Sequence, residues 1–327
     1  MTSVGRHLPH PAIPDDASGQ QKKARRRIER LHSTMNDQTT LDKDRNRSIA
    51  GRFCVLVSSS DHGRDVFEIV FQKAETIWRD CDWPRFVGFT KKHPDLYGFK
   101  ALAAKIPSDW RGELSDQLDG LPDEIEYVLL TFEDALFTSP VNGSELDAIA
   151  NLIVQDDLPY VSLFPLRRNL PGLVIEFFRR KLSRCPLRRL SFSEPYYSSI
   201  ATAIWKRSYL QRLLRQTESI WDFEHIVTDE PHFAVWKPVL MQDQLVTKGK
   251  WSSRAPRMLA QQGIVLSESR RGFRRLSSRL RDIREFVVFQ TIGFLSFRIR
   301  RRLNRISHRA PPQDIYKSSF ENPIKKS

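Results

Sequence analysis

The chain has 327 residues, 40% of them hydrophobic and 28% charged, ordinary values for a soluble protein that buries one large core or two smaller ones. Its net charge of +14 is concentrated, in a block from Lys22 and Lys23 through Arg25, Arg26, Arg27 and Arg30 and in a longer Arg-rich block from Arg270 onward, which favours a polyanionic partner, either an anionic membrane surface or nucleic acid. Three scattered cysteines, Cys54, Cys81 and Cys185, exclude a disulfide framework and metal-ligand spacing, and no stretch approaches the roughly 20 apolar residues of a spanning helix, so a reducing, cytoplasmic setting is expected.

Residues 1–50 are polar, Pro- and Ser-rich and basic, without sustained apolar periodicity or the apolar core of a secretory signal, and read as a disordered or loosely helical leader. Met35 within it is a second candidate start of translation. The globular part opens on Phe53-Cys54-Val55-Leu56-Val57, a continuous apolar run that predicts a strand buried on both faces. Ser58-Ser59-Ser60-Asp61-His62-Gly63 follows, either a first loop whose hydroxyls and carboxylate reach a nucleotide or an ordinary turn into a helix. Val66, Ile69, Val70, Ala74, Ile77 and Trp78 predict one amphipathic helix over 64–79, and residues 85–89 predict a second strand. Strand, helix, strand in that order implies a right-handed crossover and a parallel sheet.

A helix is expected over 110–121, then the stretch around which the chain is organised, YVLLTFEDALFTSP at 127–140. Tyr127-Val128-Leu129-Leu130 reads as a central strand, and Glu133 and Asp134 stand just past its end. There they either meet a substrate or divalent cation in the crevice beyond the strands or cap the next element. A helix over 144–154 and a strand over 160–164 complete a βαβαβαβ alternation, one half of a doubly wound α/β fold. The basic residues of 167–193 are either a positive wall for phosphates or a solvated helix face. Residues 199–205 read as an extended apolar segment and 206–215 as a short helix with Tyr209, Leu210, Leu213 and Leu214 inward. Glu218, Trp221, Phe223 and Glu224 then cluster, which suits a sugar stacked on an aromatic face and held by carboxylates, or a buried Trp anchoring a helix.

Three stretches together resemble a family of bacterial glycosyltransferases and glycosyltransferase-like proteins of polysaccharide biosynthesis with a GT-A-type fold. They are FCVLVSSSDHG at 53–63, YVLLTFEDALFTSPV at 127–141 and SSIATAIWKRSYLQRLLRQTESIWDFE at 198–224, and their order and spacing agree over about residues 53–266. The resemblance implies an α/β, GT-A-like (Rossmann-like), mostly parallel sheet flanked by helices. It implies transfer of a sugar, hexosyltransferase-like, from a nucleotide-sugar donor to a glycan or lipid-linked acceptor. By matching position, Glu133 and Asp134 would hold a divalent cation, manganese or magnesium. Ser59 and Asp61 would lie beside the donor, Trp221 in the acceptor region, and Glu218 or Glu224 would serve as the base of an inverting transfer. The chain departs from the family where Ala135 replaces an aromatic residue and where the first acidic position is Glu, which bears on strict metal dependence.

Beyond about residue 266, Phe286 to Phe289 and Ile292 to Phe297 form an apolar patch between Arg279, Arg281 and Arg284 and Arg298, Arg300, Arg301, Arg302 and Arg305. As a helix it suits the interface of an anionic membrane, holding the protein peripherally on the inner face of the plasma membrane, or it packs on the domain as a terminal helix. The expected division is therefore a leader at 1–50, a transferase domain at 51–266 and a basic amphipathic helical tail at 267–327. A nucleic-acid role has charge behind it but no recognised module.

Overall fold

The computed structural model describes residues 49–105, 109–164, 186–190, 197–200, 202–218, 230–247, 249–266 and 271–273, with Phe223, Ile226 and Thr228 between them. The leader at 1–48, most of the basic stretch at 167–193 and the tail beyond Phe273 lie outside the described residues.

The architecture is α/β, with an eight-stranded, mostly parallel sheet flanked by helices. Its strands are Phe53–Ser58 (β1), Arg85–Phe89 (β2), Lys100–Ala103 (β3), Tyr127–Phe132 (β4), Tyr160–Ser162 (β6), Leu187–Arg189 (β7), Ala203–Lys206 (β8) and Phe233–Val235 (β9), in the order β3-β2-β1-β4-β8-β6-β9-β7. The apolar runs form central strands because both faces are covered. Phe53, Val55 and Val57 pack into one core cluster while Cys54 and Leu56 pack into the other, the period of two that strand geometry imposes. Helices Arg64–Val70 (α1), Ala74–Ile77 (α2), Gly143–Gln155 (α4) and Ala255–Gln261 (α6) contribute to the first cluster. Trp110–Asp119 (α3) and Arg207–Arg215 (α5) contribute to the second. Among the described residues no helix is long and apolar enough to cross a membrane.

Strands β3, β2, β1 and β4 are mutually parallel; the βαβ order predicts this for β1, β2 and β4, and β3 joins β2 as a further parallel edge strand. β8 separates β6 from β4 and runs against both, so β6 shares the direction of β1, β2 and β4, as the expected alternation requires. Two strands run against the rest, β8 antiparallel to both β4 and β6, and β7 antiparallel to β9. The single helix expected over 64–79 is two helices. Phe71 N–H bonds Phe67 O at 2.8 Å, but Ala74 N–H closes back on Phe71 O at 2.8 Å, a three-residue step that interrupts the ladder. The break lets Phe71 meet Phe99 and Phe137 edge-on while Trp78 also meets Phe137, so aromatic packing decides against continuity. The described part of the basic stretch is 186–190, where β7 carries a buried Arg188 and an exposed Arg189; the rest of that expectation lies outside the described residues.

After β4 the chain turns a corner at Glu133 and Asp134 and leaves the main sheet as Ala135–Phe137 (β5), paired antiparallel with Gln242–Gln244 (β10). A further small ribbon, Val246–Thr247 (β11) with Lys250–Trp251 (β12), abuts this corner, since Leu245 N–H donates to Asp134 O at 2.9 Å.

Candidate functional site

β2 and β3 lie to one side of β1, and β4 lies to the other. The crossover direction therefore reverses between β1 and β4, and the crevice beyond their carboxyl ends is the switch point where open α/β sheets bind ligands. The two strands end in register, Ser58 opposite Phe132, so Ser59 to Asp61 and the Glu133–Asp134 pair emerge side by side.

Glu133 reaches across to the loop that follows β1. An ideal Cβ built on Gly63 would lie 2.6 Å from Glu133 Oε1 and 2.7 Å from Ser59 Oγ, so these two side chains close on one spot that only a glycine leaves open. Burial, then the neighbouring Asp134, pushes the Glu133 carboxyl up to about 7, with Arg271 opposing. Burial also raises Asp134, while its carboxylate accepts from the Gln244 side chain and the Val246 backbone N–H. The acidic corner is thus half-buried and tied to the small ribbon rather than exposed. Beneath it Thr131 Oγ1 and Thr202 Oγ1 meet at 2.9 Å and Thr202 donates to Gln242 Oε1 at 2.8 Å, a buried polar chain joining β4 to β10.

On the β2 side, Asp61 Oδ1 accepts the Lys91 backbone N–H at 3.1 Å and faces His93 Nε2 at 3.1 Å. Arg64 Nη1 lies 2.8 Å from His93 Nδ1, and a guanidinium only donates, so the imidazole proton sits on Nε2 and points at Asp61. Burial works against the Asp61 carboxylate, but Lys91 and His93 hold it below its usual range. Gln117, fully buried in α3, donates through Nε2 to Ser59 O at 3.3 Å, while its Oε1 has no hydrogen-bond partner among the described residues. A third group closes the crevice from the far end of the chain. Arg271 grips Asp65 through Nε at 2.9 Å and Nη2 at 2.8 Å, and Nη2 also reaches His62 O.

Ser59, Asp61, Glu133 and Asp134 therefore meet at one switch point. Glu218 follows α5 and is exposed. Arg111 Nη1, in the first turn of α3, donates to the preceding carbonyl, Thr217 O, at 2.6 Å. Trp221 and Glu224 lie outside the described residues, and between them Phe223 is fully buried against Trp110 and Trp205. Sequence reasoning missed His93, Arg64 and Arg271. His93 stands just beyond the end of β2, where the same strand-end rule would have drawn attention to it, whereas nothing distinguishes Arg271 within its Arg-rich block.

Among the described residues no group of three or more His, Cys, Asp or Glu is placed to hold a metal ion. One or two carboxylates completed by substrate phosphates are the usual protein share of a magnesium-type site, and Glu133 with Asp134 fits that share. Comparison with models of known protein families and with characterised proteins finds no match for this chain.

Proposed function

We propose that the chain is a glycosyltransferase that moves a sugar from a nucleotide-sugar donor to a glycan or lipid-linked acceptor in surface polysaccharide synthesis, on a GT-A-like fold. The observation that carries the reading is the convergence of Ser59, Asp61 and the Glu133–Asp134 pair at the β1/β4 switch point. In this reading Asp61, its Oδ1 fixed by Lys91 and His93, takes the nucleoside, and Ser59 lines the path toward the phosphates. Asp134 and Glu133 would hold a divalent cation on the donor, and that cation would supply neutralisation of the charge growing on the departing diphosphate. Glu218 or Glu224 takes the acceptor proton if the anomeric centre inverts, and Trp221 stacks on the acceptor sugar. The basic tail holds the protein at an anionic inner-leaflet surface where a lipid-linked acceptor is concentrated.

A binding protein of the same fold without turnover is favoured by one observation. The Asp134 carboxylate is already engaged by Gln244 and Val246, and burial holds the Glu133 carboxyl up at about 7. A thermal-shift screen of UDP-, GDP-, dTDP- and CMP-sugars, with and without manganese, tests the donor reading. Stabilisation by one donor supports it, with turnover separating enzyme from binder. No stabilisation by any donor, together with salt-sensitive nucleic-acid binding, would replace it with a basic nucleic-acid binder.

A further inference from the structure

Arg271 is brought to the crevice across 206 positions of sequence by two independent devices. Its backbone segment is stitched to the small ribbon, since Trp251 N–H donates to Gly272 O at 3.1 Å and Trp251 bridges Phe273 in parallel register. That ribbon continues through Leu245 to the Asp134 carbonyl, so the arginine and the acidic corner share one scaffold. Its guanidinium is then fixed by the two-pronged bond to Asp65 and by the His62 carbonyl, which lock both the plane and the direction of the fork. About 20% of the side chain remains open to solvent. The positive charge acts on the Glu133 and Asp134 carboxyls together, drawing both down.

A pair that served only to pin a surface segment would be screened and weak. A planar, preorganised guanidinium facing a strand-end crevice matches the geometry of phosphate oxygens. We infer that Arg271, positioned by Asp65, contacts the diphosphate of the nucleotide donor beside the acidic corner. This rests on the nucleotide-sugar reading above, which assigned no positively charged residue to the phosphates. The arginine supplies positive charge that the carboxylates cannot, and it does so whether or not a cation accompanies the donor.

The test is calorimetric titration of the full chain with UDP, GDP, dTDP and CMP, each paired with its nucleoside, in manganese buffer. For the diphosphate that the wild type binds, Arg271→Gln should weaken affinity about 10- to 100-fold, the size of a lost hydrogen bond to a charged group, while leaving nucleoside affinity unchanged. Arg271→Lys keeps the charge but not the fork and should lose less. It carries the comparison if Arg271→Gln melts early. Equal diphosphate affinity in wild type and variant, or a parallel loss of nucleoside binding, overturns the inference and leaves the donor reading standing. Binding of CMP alone does the same. Binding of none of the four overturns both.

Discussion

The acidic corner makes a prediction about stability before any ligand is added. Glu133 titrates near 7 in the fold, against an ordinary value of 4.5, because burial and Asp134 disfavour its charge. The folded-state value is raised, so the fold binds this proton more tightly than the unfolded chain. The stabilisation is complete below about 4.5 and is lost as pH rises through about 7. Between 4.5 and about 7, at about 1.4 kcal/mol for each tenfold change in proton affinity, the ceiling is about 3 kcal/mol, and a half-open crevice brings it to about 1–2 kcal/mol. Glu133→Gln cannot ionise and should escape that loss. At pH 8 in EDTA it should melt about 2–8 °C above wild type, from roughly 2–4 °C per kcal/mol, and at pH 5 most of that difference should be gone. Buried His232, lowered to about 4 by desolvation, contributes the opposite slope, with stability lost as pH falls from 6.5 toward 4. It sits in the other core cluster, against Tyr160, Tyr197 and Trp205, and is common to both proteins, so it cancels in the difference between them. A difference of the same size at pH 5 and pH 8, or a variant that melts lower at pH 8, would refute the reasoning.

Three further outcomes are expected. Asp134→Asn, which keeps an acceptor for Gln244 but loses the charge, should abolish sugar transfer measured with the stabilising donor while shifting Tm by only a few degrees; undiminished turnover would remove Asp134 from the site. Gly143→Ala should destabilise by at least about 1–3 kcal/mol in denaturant titration, because the new Cβ would lie 1.6 Å from the Asp80 carbonyl oxygen and that partner is backbone; a neutral result would show that α4 enters elsewhere. A chain ending directly after Phe273 should lose sedimentation with anionic vesicles at low salt and keep donor binding, whereas one ending near Ser267 should also lose part of the donor affinity, since it removes Arg271.

Much of the sheet was legible because its central strands are buried on both faces and announce themselves as unbroken apolar runs. Residues 53–57 and 127–130 became β1 and β4 with little adjustment. Helices with a single apolar stripe were equally plain, as in α4 and α5. Strand direction was legible only where a helix joins successive strands; a period of two is the same read either way, and β8 could be known as antiparallel only from its register against β4. Edge strand β3, Lys-Ala-Leu-Ala with a half-exposed face, carries no β-branched or aromatic signal and pairs because β2 offers it a free edge.

The candidate site divides along the same line. Ser59, Asp61, Glu133 and Asp134 were found because each follows a legible strand, and a rule about strand ends converts one-dimensional order into a place. Contacts such as Asp65 with Arg271 obey no such rule, because the pairing is chosen by the ribbon that carries residues 271–273 back to the crevice. The cluster around Trp221 shows the remaining ambiguity at work. Aromatic residues near carboxylates suit a sugar or a core equally, and Phe223 resolves to the core, edge-on to both Trp110 and Trp205. That packing joins the start of α3, which follows β3 in the chain, to the segment that follows α5. Together with the bond from Arg111 to Thr217 O, it fixes the chain on either side of Glu218 and leaves Glu218 itself exposed. A fixed backbone under an exposed carboxylate is what a base needs if it is to meet an acceptor hydroxyl that arrives from solvent rather than from within the fold.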